Sequence, residues 1–352
     1  MNRYLTFDDI GLIPKYNTIK SRQDTDISTT IDGLKYNFPF VPANMDTVIS
    51  EKMADIITEK NGMLIYHRFC TIKEKLHVLK KYPNVYMSCG VNDMDEIKTL
   101  IDNGCNRFCI DVAHGHCKQV IDVIKFIKDL TKTNSIIAGN VCTYDGYVEL
   151  GRAGASIIKT GVGGGSCCTT RMKTGFGVPQ FSAVLDCQKA KLDLEKEGIK
   201  TWLISDGGIK HPRDAVFAIA AGADMVMMGN LFAKTFESAG KKYIKNKDNQ
   251  YDLIDINNPP ECEEIYSHYR GQASLHFMNS YYGTKKSATA EGVDFYTKCI
   301  GSTNDIINEY SGSLRSAMTY AGSDDLEKFR QNAEFFESTP NYMSESNARI
   351  NQ

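Results

Sequence analysis

Two adjacent cysteines follow a glycine-rich loop in this chain. Residues 161–170 read GVGGGSCCTT, which places Cys167 and Cys168 directly after the glycines. Backbone amides of glycine can approach a ligand closely, so the loop could cradle a phosphate or surround a cation with carbonyl oxygens, although many such loops are only turns. A thiol on an amide-rich loop can have a lowered pKa and act as a nucleophile. Two adjacent thiols cannot both face one site, so the pattern predicts one reactive cysteine and one that packs.

Two more glycine segments come at the ends of later apolar runs. Asp206, Gly207 and Gly208 end one run, and Gly229 and Asn230 end the next. Glycine amides near a helix N-terminus bind phosphate, and a carboxylate at a strand end can bridge the two hydroxyls of a ribose. Each segment alone could be a plain turn, but together they predict a nucleotide phosphate site.

Eight short apolar runs must position these loops. They are continuous rather than alternating, which is typical of strands in a parallel sheet whose outer face is covered. The predicted strands cover residues 40–43, 63–66, 85–88, 108–111, 136–139, 157–160, 202–205 and 225–228. The helices between them are clearest over residues 56–60, 97–103, 120–130, 147–153, 183–197 and 215–221. Eight such units predict a (β/α)8 barrel, with a doubly wound sheet as the alternative.

One barrel domain is expected over residues 1–352, with two additions to the barrel. Residues 241–301 are polar and too long for an ordinary barrel connection, which predicts a functional flap or lid. From residue 302 on, we expect a helix through 314–318 and then a mobile polar tail that ends SESNARINQ.

Bulk composition excludes several classes of protein. A net charge of -2 and scattered lysine pairs indicate no surface for nucleic acid. No window approaches eighteen consecutive apolar residues and the N-terminus has no apolar signal segment, so we expect neither membrane spanning nor export, and a cytoplasmic location. Eleven cysteines without a CxxC spacing argue against a disulfide framework and a structural zinc site.

Seven ordered motifs resemble those of the IMP dehydrogenase and GMP reductase family over nearly the whole chain. They are LTFDD (5–9), ANMDTV (43–48), AGNV (138–141), GVGGGSCCTTR (161–171), SDGGI (205–209), VMMGN (226–230) and YRG (269–271). The resemblance places the nucleophile at Cys168, with Cys167 where the family usually has an aliphatic residue. It also implies a homotetramer.

The resemblance implies covalent chemistry at C2 of a purine monophosphate. Cys168 is expected to add to C2 of GMP, Thr170 and Glu291 together to protonate the leaving amino group, and NADPH to deliver hydride, so that IMP and ammonia form. The implied nucleotide contacts are Ser166, Asp206, Gly207, Gly208, Gly229, Asn230, Tyr269, Gln272 and Ala273.

A second set of implied contacts concerns the cofactor and a cation. Asp111, in the segment CIDVAHG, is expected to contact the nicotinamide ribose, together with Ala113 and Asn140; a helix N-cap is the alternative for Asp111. No GxGxxG motif follows a first strand, so a dinucleotide should lie across the barrel mouth. Potassium, if it binds, should contact the backbone carbonyls of Gly163, Gly165 and Cys168.

Within the family, several features favour the reductases. ANMDTV and residues 168–180 resemble the reductase forms, and the chain lacks the paired CBS-type regulatory modules that many dehydrogenases insert between strands two and three. The dehydrogenases activate water with an Arg-Tyr pair in the flap, and no Arg-Tyr dipeptide occurs between Gly271 and Gly301. We therefore expect deamination rather than hydrolysis of the covalent intermediate.

The segments that read the guanine edge depart from the reductase pattern. Residues 272–274 are Gln-Ala-Ser where the reductases have Met-Ser-Ser, and residues 288–290 are Ala-Thr-Ala where an Arg and a Ser precede the Glu. Gln272 or Thr289 could replace the missing partners, or the substrate could be a deoxy or modified purine monophosphate. The sequence also leaves open an NAD-dependent IMP dehydrogenase, whose flap the segment EGVD at 291–294 resembles, and a nucleotide-binding regulator without turnover.

Overall fold

Eight parallel strands form the centre of the protein. A computed structural model describes residues 3–132, 135–258, 264–274, 290–339 and 341–346. The strands in chain order are β1 Ile10–Leu12, β2 Thr29–Ile31, β3 Leu34–Tyr36, β4 Phe40–Pro42, β5 Ile65–Tyr66, β6 Tyr86–Cys89, β7 Phe108–Asp111, β8 Ile136–Val141, β9 Ile157–Thr160, β10 Trp202–Asp206, β11 Met225–Met228, β12 Lys242–Lys245, β13 Tyr251–Ile254, β14 Ile265–Arg270, β15 Asp294–Lys298 and β16 Phe335–Glu337. The central sheet has the order β4-β11-β10-β9-β8-β7-β6-β5.

The predicted (β/α)8 barrel is confirmed. β4, the first strand of the central sheet in sequence, pairs in parallel with β11, the last, as in the closing contact of a barrel. The doubly wound alternative is therefore wrong. Each of the eight predicted strands coincides with a strand of this sheet.

Two buried clusters explain why the strands are continuously apolar. One cluster fills the barrel interior with alternate residues of successive strands, such as Cys109, Ile137 and Ile204. The other contains the residues between them, which pack against the helices. Because successive side chains of a strand point to opposite faces, both faces must be apolar when both are covered.

The helices surround the barrel. In chain order they are α1 Glu51–Glu59, α2 Ile72–Lys81, α3 Met94–Asp102, α4 Lys118–Leu130, α5 Tyr144–Ala153, α6 Thr170–Thr174, α7 Gln180–Lys196, α8 Pro212–Ala220, α9 Asn230–Ala233, α10 Thr303–Tyr320, α11 Leu326–Asn332 and α12 Asn341–Ser346. All six predicted helices are present, but each begins earlier than the apolar pattern indicates, since the first turn is largely polar. The pattern does not resolve α2, whose buried residues are only Lys75 and Val78.

The predicted flap region contains a second sheet. Strands β12 to β15 form an antiparallel sheet in the order β13-β12-β14-β15. One of its faces carries the buried side chains of Ser267, Tyr269 and Thr297. Residues 275–289 of this region lie outside the described part of the chain.

The two ends of the chain pair with each other. β1 and β16 form an antiparallel ladder in which Gly11 is opposite Phe336. α10 contains the predicted helix through 314–318, whereas the tail from residue 347 lies outside the described residues. No helix in the described ranges is long and apolar enough to cross a membrane.

Candidate active site

A cavity of about 650 Å³ opens at the carboxyl ends of the barrel strands. This is the volume expected of a small-molecule site, and it lies at the end of the barrel where such sites are built. The predicted residues that line it are Asp111, Ala113, Asn140, Gly165, Ser166, Cys168, Thr170, Asp206, Gly207, Gly208, Gly229, Asn230, Tyr269, Gln272, Ala273 and Glu291. Gly163 is the one predicted site residue that does not line it.

Three half-buried side chains form a connected path at one side of the cavity. Cys168 Sγ lies 3.1 Å from Thr170 Oγ1. The Thr170 hydroxyl donates a hydrogen bond of 2.8 Å to Glu291 Oε2. A thiol, a hydroxyl and a carboxylate in series can carry out nucleophilic addition and move a proton to a nearby leaving group.

Backbone hydrogen bonds fix the positions of these three side chains. The Thr169 N–H donates to the Glu291 carbonyl at 2.7 Å, and the Val293 N–H donates to the Cys167 carbonyl at 2.9 Å. On its other side, the Glu291 N–H donates to the Ala273 carbonyl at 3.1 Å. Residues 291–293 therefore lie between the cysteine loop and the residues that follow β14.

The two adjacent cysteines have different environments. Cys167 is buried, with only 4% of its surface exposed, and burial raises the pKa of its thiol to about 12. Cys168 is half-buried and contacts Thr170. The sequence predicts one reactive and one packing cysteine, and the exposure of the two side chains agrees with Cys167 as the packing residue.

The loops after β9, β10 and β11 meet at a second side of the cavity. Gly207 and Gly208 have φ angles of 92° and 81°, which favour glycine, and the Gly208 N–H donates to the Gly164 carbonyl at 2.9 Å. A Cβ atom on Gly229 would lie 2.4 Å from Tyr269 Oη, so a larger residue there would displace the tyrosine side chain. The structure thus brings the predicted glycine segments together at one side of the cavity, and the phosphate site stays a prediction.

The floor of the cavity holds a charged group that the sequence prediction missed. Lys159 Nζ lies 2.6 Å from Asp111 Oδ1 and 3.3 Å from Asp206 Oδ2. Asn140 Nδ2 donates to the same Asp206 oxygen at 2.9 Å. The sequence does contain a signal for this group, because Lys159 lies within the apolar run 157–160. A charge on a strand that is buried on both faces must be paired.

Two predictions on the cofactor side have different outcomes. The N-cap residue of α4 is Cys117, so the helix-cap alternative for Asp111 is wrong. The Gly165 carbonyl accepts a hydrogen bond of 3.0 Å from the Cys168 N–H, so one of the three predicted potassium ligands already has a partner within its own loop. Potassium binding stays a prediction.

The predicted base-reading segment contacts the barrel through Gln272. Its Nε2 donates to the Asn44 carbonyl at 2.9 Å, and Asn44 Nδ2 donates to Ser88 Oγ at the same distance. Ala290, next to Glu291, is half-buried. The predictions for residues 288 and 289 lie outside the described part of the chain.

A barrel with a cysteine, a hydroxyl–carboxylate pair and glycine-rich loops around one cavity is typical of enzymes that act on phosphorylated ligands. The family model described as "IMP dehydrogenase / GMP reductase domain" matches residues 4–349. The chain belongs to the IMP dehydrogenase and GMP reductase family, as the seven motifs predict.

Among its relatives are bacterial proteins named GMP reductase. The one from Staphylococcus carnosus is 34% identical over 335 residues, which cover 92% of this chain and 94% of the relative. The one from Streptococcus pyogenes serotype M1 is 33% identical and covers 92% of each chain. The one from Oceanobacillus iheyensis is 34% identical and covers 94% of each chain.

Proposed function

We propose that the protein is a GMP reductase, which converts GMP to IMP and ammonia with NADPH. The observation that carries the proposal is the path from Cys168 Sγ to Thr170 Oγ1 at 3.1 Å and on to Glu291 Oε2 at 2.8 Å. Relatives with this name, 33% and 34% identical over more than nine-tenths of the chain, support it. The absence of an Arg-Tyr dipeptide between residues 271 and 301 favours deamination over hydrolysis.

The first half of the proposed reaction removes the amino group. The Cys168 thiolate forms a bond to C2 of GMP, and the C2=N3 electron pair moves to N3, which takes up a proton. The proton of the Cys168 thiol reaches Glu291 through the Thr170 hydroxyl, and Thr170 then passes a proton to the 2-amino nitrogen as it takes one back from Glu291. The C2–N bond then breaks, ammonia leaves, and C2=N3 forms again as N3 gives up its proton. A poor amine leaving group requires this kind of acid assistance.

The second half releases the product from Cys168. NADPH, when bound, supplies the hydride that C2 takes up. Cys168 then leaves C2 as the thiolate, and the nucleotide departs as IMP. In sum, one hydride and one proton enter for each ammonia that leaves, so the atoms balance without water.

The residues at the ends of β7 and β8 fit a nicotinamide nucleotide. The Asp111 side chain is 12% exposed, and its Oδ2 makes no hydrogen bond within the described residues, so it can accept one from a ribose hydroxyl. Asn140 Oδ1 is a buried acceptor that likewise has no partner there, which suits an amide N–H. We assign the cofactor to Asp111, Ala113 and Asn140, and the nucleotide to the loops that carry Ser166 and Asp206.

Two incubations test the proposal against the competing functions. Purified protein with GMP and NADPH should consume NADPH, whereas IMP with NAD should give little XMP. NADH formation from IMP and NAD would indicate a dehydrogenase, and nucleotide binding without either reaction would indicate a regulator or another purine monophosphate as substrate. Repeating the first incubation without potassium tests the cation prediction, and light scattering tests the predicted tetramer.

A further inference from the structure

A buried lysine forms part of the top layer of the barrel interior. The residue two positions before each of Asp111, Lys159 and Asp206 belongs to the interior cluster. Because side chains alternate along a strand, these three charged residues continue the same interior column towards the cavity. Part of the layer that closes the barrel interior beneath the cavity is therefore ionic, beside the apolar Met227 that pairs with Asp206.

A glycine on β8 lies between Asp111 and Lys159. Gly139 on β8 pairs with Asp111 on one side and with Lys159 on the other. A Cβ atom on Gly139 would lie 2.8 Å from Lys159 Cβ. Glycine at position 139 thus allows the close approach of β8 to Lys159, whose Nζ lies 2.6 Å from Asp111 Oδ1 and 3.3 Å from Asp206 Oδ2.

The ionic layer is poorly explained by stability alone. Burial by itself would lower the pKa of Lys159, but the charges of Asp111 and Asp206 outweigh it and raise this pKa above the ordinary value, so the ammonium stays charged. Well-packed apolar side chains usually stabilise a core at least as well as a buried ion pair does. A layer with one cation and two carboxylates carries a net negative charge that suits ligand hydroxyl groups better than it suits a core.

We propose that Lys159 is a positioning residue shared by two subsites, the common counter-ion of Asp206 beside the nucleotide and of Asp111 beside the cofactor. The inference rests on the proposed function, which assigns a ligand to each carboxylate. A single ammonium holds both carboxylates in place, so its removal leaves two neighbouring carboxylates that repel each other. One of them then moves away from the other, and both subsites lose their acceptor geometry.

Calorimetric titration with IMP, and with NADPH at saturating IMP, tests this inference. Lys159→Met should weaken both affinities, by roughly 5- to 150-fold, the range of coupling between sites. Asp206→Asn added to Lys159→Met removes one of the two repelling charges, so NADPH affinity should recover towards the wild-type value. If the effects of Lys159→Met and Asp206→Asn on NADPH affinity simply add, the proposal is overturned. For a lysine with only a structural role, a second substitution would not restore the affinity.

Lys191→Met is the matched control. Lys191 is largely buried and lies 2.6 Å from Asp224, but neither residue lines the cavity. Its loss should lower stability and leave both affinities unchanged. If Lys159→Met does not fold, Asp206→Asn alone decides: it should change NADPH affinity by at least about fivefold, and an unchanged value would overturn the proposal.

Failure of this inference differs from failure of the proposed function. A wild-type protein that binds neither IMP nor NADPH contradicts the function. If the wild-type protein binds both ligands and Lys159→Met leaves both affinities unaltered, only the role of Lys159 as a shared counter-ion is contradicted.

Discussion

The Thr170 hydroxyl donates a 2.8 Å hydrogen bond to Glu291 Oε2, although the two residues lie 121 positions apart. Thr170 begins the short helix after the cysteine loop, and Glu291 lies just before β15. The hydrogen bond exists because residues 291–293 bond to both the cysteine loop and the segment after β14. The proposed proton relay therefore depends on the backbone hydrogen bonds that hold the flap region against the barrel.

Removing either member of this pair should slow the release of ammonia. For Thr170→Ala and for Glu291→Gln we expect a decrease of about 10²-fold or more, the range for lost acid–base assistance. Single-turnover measurement of ammonia checks it. Thr174→Ala, which changes an exposed hydroxyl on the same helix, should have little effect. An equal loss in Thr170→Ala and Thr174→Ala would assign the effect of Thr170 to the helix instead of the relay.

The two cysteines should differ in their importance for turnover. Cys168→Ala should abolish the reaction, because its Sγ is the nucleophile of the proposed mechanism. Cys167→Ala should keep most of the activity, since this buried thiol, with a pKa raised to about 12, stays protonated and packs. Initial rates of NADPH oxidation distinguish the two. An essential Cys167 would contradict the assignment of the nucleophile.

Asp206 should contribute to nucleotide binding without being required for folding. Asp206→Ala should weaken IMP binding by roughly 1.5–3 kcal/mol, the usual cost of losing hydrogen bonds to a charged group. Calorimetric titration measures the affinity, and circular dichroism checks the fold. Asp186→Ala, which changes an exposed carboxylate on α7, is the control. An unchanged affinity would remove Asp206 from the ribose site.

Much of the architecture follows from local patterns. The eight strands could be predicted because the barrel buries both faces of each one, which gives continuous apolar runs. α2 could not be resolved, because one of its two buried residues is a lysine. The ladder of Gly11 with Phe336 joins opposite ends of the chain, and no local pattern indicates such a pairing.

The candidate site could be predicted only in part for a similar reason. The glycine loops and Asp206 are recognisable because their residue types suit phosphate and ribose at strand ends. Glu291 is one acidic residue among many, and only family resemblance identifies it. Lys159 was missed, although a lysine within the run 157–160 is unusual, because its two partners lie on other strands.

A buried histidine should make stability fall below neutral pH. Burial lowers the pKa of His67 from 6.5 to about 4. Between these values the unfolded chain binds a proton that the folded protein does not, so stability is lost as pH falls through this window. When the pH falls from about 7.5 to about 5, the free energy of unfolding should decrease by about 2 kcal/mol less in His67→Gln than in the wild-type protein.

Urea unfolding at the two pH values measures this difference. His77→Gln is the control, because it also removes a histidine but one whose side chain is 64% exposed. Equal pH dependence in His67→Gln and wild type would contradict the linkage.

Isotope transfer tests the central claim most directly. Wild-type protein receives GMP with heavy nitrogen in the 2-amino group and NADPH with deuterium at the transferred position. We expect one labelled ammonia for each NADPH consumed, and IMP that carries one deuterium at C2. The account is contradicted if GMP and NADPH remain unchanged while IMP and NAD yield XMP and NADH.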